Sequence, residues 1–118
     1  MTRRVIIDTD PGLDDAIAIL FALECGRFEV LGLTSVAGNI GIDRTTENAG
    51  RLLALTGRTD IPVAVGADRP LRRWGIDVIA IHGNDGLKGV ALPPSLAAPL
   101  PDAVGWIAEK LAAEPAGS

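Results

Sequence analysis

The sequence contains few aromatic residues and almost no cysteine or histidine. Aromatic residues make up 3% of its 118 residues, Cys25 is the only cysteine and His82 the only histidine. A single cysteine excludes an internal disulfide, and so few Cys and His residues argue against a zinc site. The core must therefore be built from Leu, Ile, Val and Ala. A hydrophobic content of 47% is enough for the core of one domain.

The chain also lacks an excess of positive charge and any long apolar run. Its net charge is −4 and its pI about 4.8, whereas a nucleic-acid-binding protein usually presents a basic face. The one local basic cluster, formed by Arg69, Arg72 and Arg73, is typical of a solvated loop. The apolar run after Arg3 and Arg4 is too short for a signal peptide, and no run reaches the length of a membrane span. We expect a cytoplasmic protein without nucleic-acid or membrane partners.

Apolar segments alternate with turn residues in a β-α-β-α-β-loop-α order. Strands are predicted over residues 5–8, 30–37 and 61–65, and helices over 13–24, 42–56 and 103–114. Such alternation favours an α/β fold with a Rossmann-like parallel sheet and flanking helices. The first helix is apolar nearly all round, which predicts a buried helix. After the third helix the sequence ends in what resembles a helix-to-strand loop, so we expect a chain truncated in mid-fold.

Four carboxylates lie at the junction between the first strand and the first helix. They are Asp8, Asp10, Asp14 and Asp15. Neighbouring carboxylates repel one another, and a divalent cation would compensate them. Oxygen ligands favour Ca²⁺ or Mg²⁺. Helix capping and the positive helix N-terminus explain one or two of these aspartates, but not easily all of them.

Two further polar residues are candidates for the same site. Asn39 follows the second strand as Asp10 follows the first, and the carboxyl ends of parallel strands line one crevice. His82 lies in a glycine-rich polar segment, where a structural and a catalytic role are equally supported. A carboxylate beside a cation can act as general base toward metal-bound water, and this suits hydrolysis.

Two other interpretations stay open at this point. An Asp-x-Asp after an apolar strand is similar to the start of haloacid-dehalogenase-type phosphatases, in which Asp8 would be the nucleophile. Pro11-Gly12 does not fit that pattern, and the Asp14-Asp15 pair would have no role. The other interpretation is a truncated, non-catalytic remnant or a module stabilised by a partner, because a parallel sheet without its later strands exposes an unpaired edge.

Several motifs together resemble the inosine/uridine-preferring nucleoside hydrolase family. The run from Asp8 to Ala16 (DTDPGLDDA) resembles the family signature, and the similarity continues through segments 36–39, 48–53, 62–71 and 82–87. The resemblance implies that residues 1–118 are the N-terminal part of a single nucleoside hydrolase domain. It implies the following roles: Asp10 and Asp15 as Ca²⁺ ligands, Asp14 as general base, Asn39 and His82 as substrate-binding residues, and Asp8 as a supporting carboxylate.

The resemblance also implies a reaction and an assembly. The reaction is calcium-dependent hydrolysis of the N-glycosidic bond of a ribonucleoside, giving ribose and free base, and full-length members often form dimers or tetramers. Two departures stand out. The family usually has Gly after Leu87, where this sequence has Lys88. The family's other calcium ligands and ribose-binding residues lie beyond residue 118, so we expect weak calcium binding and little or no turnover by this chain. Base preference is not determined by these motifs.

Overall fold

The computed structural model describes residues 2–38, 40–72 and 83–118. Its strands are β1 (Arg3–Thr9), β2 (Phe28–Ser35) and β3 (Val63–Val65), and its helices are α1 (Leu13–Glu24), α2 (Ile42–Leu55) and α3 (Ala103–Ala113). The three strands form a parallel sheet in the order β1-β2-β3. The predicted α/β class with a parallel sheet and flanking helices is therefore confirmed.

The helices cover the two faces of the sheet unequally. Successive residues of a strand point to opposite faces. Leu33 of β2 packs into the core with Ile19 of α1 and Leu52 of α2, so α1 and α2 share one face. A Cβ on the adjacent Gly32 would overlap the Trp106 ring of α3. Helix α3 therefore lies close against the other face, where glycine leaves room for the indole.

Most element boundaries match the sequence-based expectations within two residues. Helix α1 has the predicted bounds, and the Asp102 side chain caps α3 by accepting a hydrogen bond from the Gly105 amide at 3.0 Å. Strand β2 starts and ends two residues earlier than predicted. Strand β3 starts only at Val63, although the Pro62 carbonyl already accepts from Leu33 N. Proline has no N–H to donate, so regular pairing begins after it.

The prediction that α1 is buried on nearly all sides is wrong. Ile19 and Leu23 are buried, but Ile17 is 71% and Phe21 65% exposed. Ile19 and Leu23 face the sheet and α2, and no described element covers the opposite side of the helix, where Ile17 and Phe21 lie. Within the described part of the chain, α1 is therefore apolar on all sides but buried on only one side.

The two outer edges of the sheet also differ. Beyond β3, Leu100 forms an isolated parallel bridge with Ala64, with Val65 N donating to Leu100 O at 2.8 Å. Strand β1 pairs with β2, and no strand in the described ranges pairs with its other edge.

No helix within the described part of the chain is both long and apolar enough to span a membrane.

Candidate functional site

The carboxylate turn, residues 10–15, joins the end of β1 to the first turn of α1. Gly12 is the N-cap of α1, and its amide donates to Asp15 Oδ2 at 3.3 Å. The buried Thr9 hydroxyl donates to Asp15 Oδ1, also at 3.3 Å. The Asp15 carboxylate is thus oriented from both sides by groups that precede the helix. Sequence reasoning missed Thr9, although its place between two aspartates at the strand end was a usable signal.

Asp10 lies half-buried against the loop that follows β2. A Cβ on Gly38 would overlap Asp10 Oδ2 and would lie 2.9 Å from Asp10 Cγ. Gly38 therefore leaves the space that the carboxylate occupies. The loop itself is held to β1 because Val36 N donates to Thr9 O at 3.1 Å. The carboxyl ends of β1 and β2 therefore lie side by side.

The other two aspartates of the cluster differ from Asp10 and Asp15 in their surroundings. Asp14 is exposed in the first turn of α1. Asp8 accepts a hydrogen bond at 2.6 Å from the buried hydroxyl of Thr34. Asp8 also lines a cleft beside α3, together with Ile107 and Lys110. Because Thr9 points toward α1, strand alternation places Asp8 on the opposite face from the Thr9–Asp15 contact.

A second loop, residues 83–89, packs against the carboxylate turn. The Asp85 carboxylate accepts hydrogen bonds from the amides of Leu87 at 3.0 Å and Gly89 at 3.2 Å. These backbone donors favour the ionised form and lower the pKa of Asp85 below its ordinary value. Gly86 is buried in this loop, and its α-carbon faces Pro11 O, Ile40 and Asn48. The loop therefore folds around the Asp85 carboxylate and seats Gly86 on the carboxylate turn.

Lys88, the departure from the family motif, occupies a glycine-like position in this loop. It is exposed and has a φ of 53°, the only non-glycine residue with positive φ in the described ranges. A side chain in the left-handed region places Cβ too close to the neighbouring carbonyl. Lys88 thus holds a left-handed backbone conformation at the cost of local strain.

Replacing Lys88 by glycine is expected to stabilise the protein. Lys88→Gly should raise the free energy of unfolding by about 0.5–1 kcal/mol, because relief of left-handed strain exceeds the added entropy of the unfolded chain. Urea unfolding would measure this as a higher midpoint at unchanged slope. Lys88→Ala is the matched control, since it removes the exposed charge but keeps Cβ. An equal gain from both variants would show that charge, not backbone strain, is responsible.

Asn48 connects the two loops, and sequence reasoning assigned it no role. It lies in α2 and is 1% exposed. Its side-chain Nδ2 donates to Pro11 O at 3.2 Å and to Asp85 O at 2.6 Å. The sequence did offer a signal for a buried role. Asn48 lies three residues after Thr45 and four before Leu52, so its amide falls on the same face of α2 as these residues and Ala49. A polar residue on a buried helix face needs partners, and here both are loop carbonyls.

Two predicted site residues, Asn39 and His82, lie outside the described residues. Of the described candidates, the structure groups Asp10, Asp14 and Asp15 at one junction and places Asp8 on the other face of the sheet. No three Cys, His, Asp or Glu side chains in 2–38, 40–72 and 83–118 are arranged to hold a metal ion. Ca²⁺ takes about six to eight oxygen ligands. The oxygen-only donors fit calcium chemically, but Asp10 and Asp15 alone would not complete such a coordination shell.

Comparison with known proteins gives a consistent result over nearly the whole chain. The sequence model of a family described as inosine-uridine preferring nucleoside hydrolase matches residues 5–117. The pyrimidine-specific ribonucleoside hydrolase RihA of Shewanella woodyi is 50% identical over 112 residues, covering 94% of this chain and 36% of that protein. Uridine nucleosidase 1 of Arabidopsis thaliana is 47% identical over 94 residues, or 78% of this chain and 28% of that protein.

Solved structures show the same similarity. A plant nucleoside hydrolase, the PpNRh1 enzyme, superposes with a TM-score of 0.89 at 38% identity, covering 98% of this chain and 37% of that one. A purine-preferring ribonucleoside hydrolase from Gardnerella vaginalis gives a TM-score of 0.86 at 28% identity, covering 94% and 37%. The chain thus spans about a third of the length of the proteins it matches.

Proposed function

The chain belongs to the inosine-uridine preferring nucleoside hydrolase family, and from this premise we propose that it carries the cation- and water-binding part of a ribonucleoside hydrolase site. The reaction breaks the N-glycosidic bond with one water molecule and yields ribose and the free base. The observation that supports the proposal is the position of the Asp15 carboxylate, which Thr9 and Gly12 orient on the same short β1–α1 segment that carries Asp10 and Asp14.

Each carboxylate has a distinct proposed task. Asp10 and Asp15 are calcium ligands, a role supported by their half-buried positions and, for Asp15, by two fixed hydrogen bonds. Asp14 is the general base that accepts the proton of the attacking water. Its exposed carboxylate has no hydrogen-bond partner in the described ranges, which leaves oxygen lone pairs available for that proton. Asp8, held by Thr34, supports the end of β1 from the other face.

Calcium, when bound, would lower the pKa of the water and hold the ribose hydroxyls. The chain's own residues then direct the reaction. Water loses its proton to Asp14 and attacks the anomeric carbon as the bond to the base breaks, through an oxocarbenium-like transition state. The base leaves with the bonding electron pair and takes up a proton. Asn39 and His82 are proposed to contact the substrate.

The same proposal includes the protein's surroundings. A net charge of −4 supports a small-molecule substrate over nucleic acid, and the single cysteine suits a reducing, cytoplasmic location. We also propose a homo-oligomer, a dimer or tetramer at full length, and no membrane partner. Relatives matched over the same region are named pyrimidine-specific in one case and purine-preferring in another, so both uridine and inosine are required as test substrates.

Replacing Asp14 tests the proposed chemistry. In the full-length gene product assayed with calcium, Asp14→Asn should lower kcat for base release from uridine or inosine by about 10²–10⁴, the contribution of a general base. Asp43→Asn is the matched control, because Asp43 is likewise an exposed acidic residue in the first turn of a helix. Equal activity of the Asp14→Asn variant and the native protein would contradict the role of Asp14. Absence of base release from both nucleosides would overturn the proposed function.

A second candidate function is a non-catalytic or partner-dependent module. The exposed Ile17 and Phe21 on α1 favour it, since contiguous exposed apolar groups mark interaction surfaces. Assay of the full-length gene product distinguishes the two, because only the hydrolase would release base there. Robust turnover by this chain alone would rule out the module, and it would equally contradict our expectation of weak calcium binding and little catalysis. A haloacid-dehalogenase-like phosphatase is not supported, because the family match covers residues 5–117.

A further inference from the structure

We propose that Asn48 is a positioning residue that sets the carboxylate turn and the 83–89 loop in one fixed register. This inference rests on the proposed function, because it assigns a role to the two loops that flank the candidate cation site. Within the described residues, the Asn48 side chain donates to backbone carbonyls and not to a candidate cation ligand. It acts through the Pro11 carbonyl on one side and the Asp85 carbonyl on the other.

The two carbonyls that accept from Asn48 come from segments far apart in the sequence. Pro11 directly follows the candidate ligand Asp10, and Asp85 lies three residues after His82. The two loops are separated by about 70 residues of sequence, yet one side-chain nitrogen donates to both. An amide Nδ2 has two N–H groups, so it can satisfy two carbonyls simultaneously.

Helix α2 and the 83–89 loop, which the bridge joins, are each held in place by further contacts. Asn48 is 1% exposed within α2, flanked by the buried residues Ala49 and Leu52 of the core. On the loop side, the Asp85 carboxylate binds the amides of Leu87 and Gly89, so its main-chain carbonyl belongs to a closed loop. The bridge therefore joins a packed helix, a self-bonded loop and the carboxylate turn, and displacement of one loop is transmitted to the other.

Asn48 could act through its two hydrogen bonds or merely by filling space, and a substitution can distinguish these roles. Gly86 Cα lies against the same amide, and a Cβ there would come within 3.0 Å of Asn48 Nδ2. The contact is therefore close-packed, and a side chain of the same shape would fill it equally well. Asn48→Leu has nearly that shape, carries no charge and has no N–H to donate. A space-filling residue would tolerate this change, whereas a donor bridge would not.

The test uses amide hydrogen exchange and calcium titration of the 118-residue chain, and NMR monitors both. Without calcium, Asn48→Ala and Asn48→Leu should each speed exchange at Leu87, Gly89 and Ala16 by about tenfold or more, the equivalent of one lost buried hydrogen bond. Thr45→Val is the matched control. Thr45 is fully buried on the same helix, and its hydroxyl bonds only locally to Ile42 O.

Calcium addition provides the second readout. In the native chain, amide shifts should change together in residues 10–15 and 83–89, whereas in Asn48→Leu the 83–89 response should be lost. Unchanged exchange at all three amides in both Asn48 variants, or an equal effect of Thr45→Val, would overturn the bridge. Absence of any calcium response in the native chain would instead count against the proposed cation site, because the exchange experiment decides the bridge without calcium.

Discussion

Gly86→Ala should lower the free energy of unfolding by about 2–5 kcal/mol. Gly86 has a φ of +81°, and a side chain in that region costs about 1–2 kcal/mol. The added Cβ would also lie 2.8 Å from Ile40 Cδ1 and 3.2 Å from the Pro11 carbonyl oxygen. Because Pro11 O is backbone, it cannot rotate away, and overpacking adds about 1–3 kcal/mol.

Gly89→Ala separates these two contributions. Gly89 lies in the same loop with a φ of +77°, but its Cβ would meet nothing within 4 Å. It should therefore show the strain alone, about 1–2 kcal/mol. Urea unfolding followed by tryptophan fluorescence measures both variants under one set of conditions. Equal losses for Gly86→Ala and Gly89→Ala would mean that the 83–89 loop does not rest on the carboxylate turn in solution.

Gly38→Ala should weaken calcium binding by about tenfold or more while leaving the fold intact. Gly38 is not among the positive-φ glycines, so its backbone accepts alanine. The new Cβ would instead take the space of the Asp10 carboxylate, which must rotate away. Displacing a metal ligand or its immediate support typically costs about 10–100-fold in affinity. The apparent Kd for calcium, from amide shifts of residues 10–15, measures the effect.

Gly41→Ala is the control for that variant. Gly41 lies three residues further along the same connection and caps α2, and a Cβ there would meet nothing within 4 Å. It should leave the calcium Kd unchanged within experimental error. Asp10→Asn provides the reference for complete loss of the ligand charge. If Gly38→Ala has the same calcium Kd and the same unfolding midpoint as the unsubstituted protein, the assignment of Asp10 as a ligand is contradicted.

The fold was largely predictable because it depends on local patterns. Apolar runs, glycine stops and the Asp102 cap determine the helices, and α1 was predicted with its observed bounds. The family resemblance is confirmed over residues 5–117. The burial of α1 was not predictable from its composition. The apolar residues show which faces of α1 could be buried. The exposed Ile17 and Phe21 show that actual burial depends on whether another element packs on that face.

The candidate site was predictable only in part. The aspartate cluster could be recognised because one continuous segment carries it and because neighbouring charges need compensation. The roles of Thr9, Gly38 and Asn48 were not predicted, because these roles arise from contacts across the fold. Asn48, for example, hydrogen-bonds to residues 37 positions away in both directions along the chain. Lys88 shows the converse, since its motif departure was visible while its left-handed backbone was not.

The edge of β1 with which no described strand pairs bears on where a ligand can bind. From β1 the described sheet grows in one direction only, through β2 to β3. A further parallel strand added at the free edge would make β1 a central strand, from which successive strands proceed to left and right. Such a topological switch point opens a crevice at the carboxyl end of the central strand. Asp10, the residue that follows β1, would then lie at the mouth of that crevice.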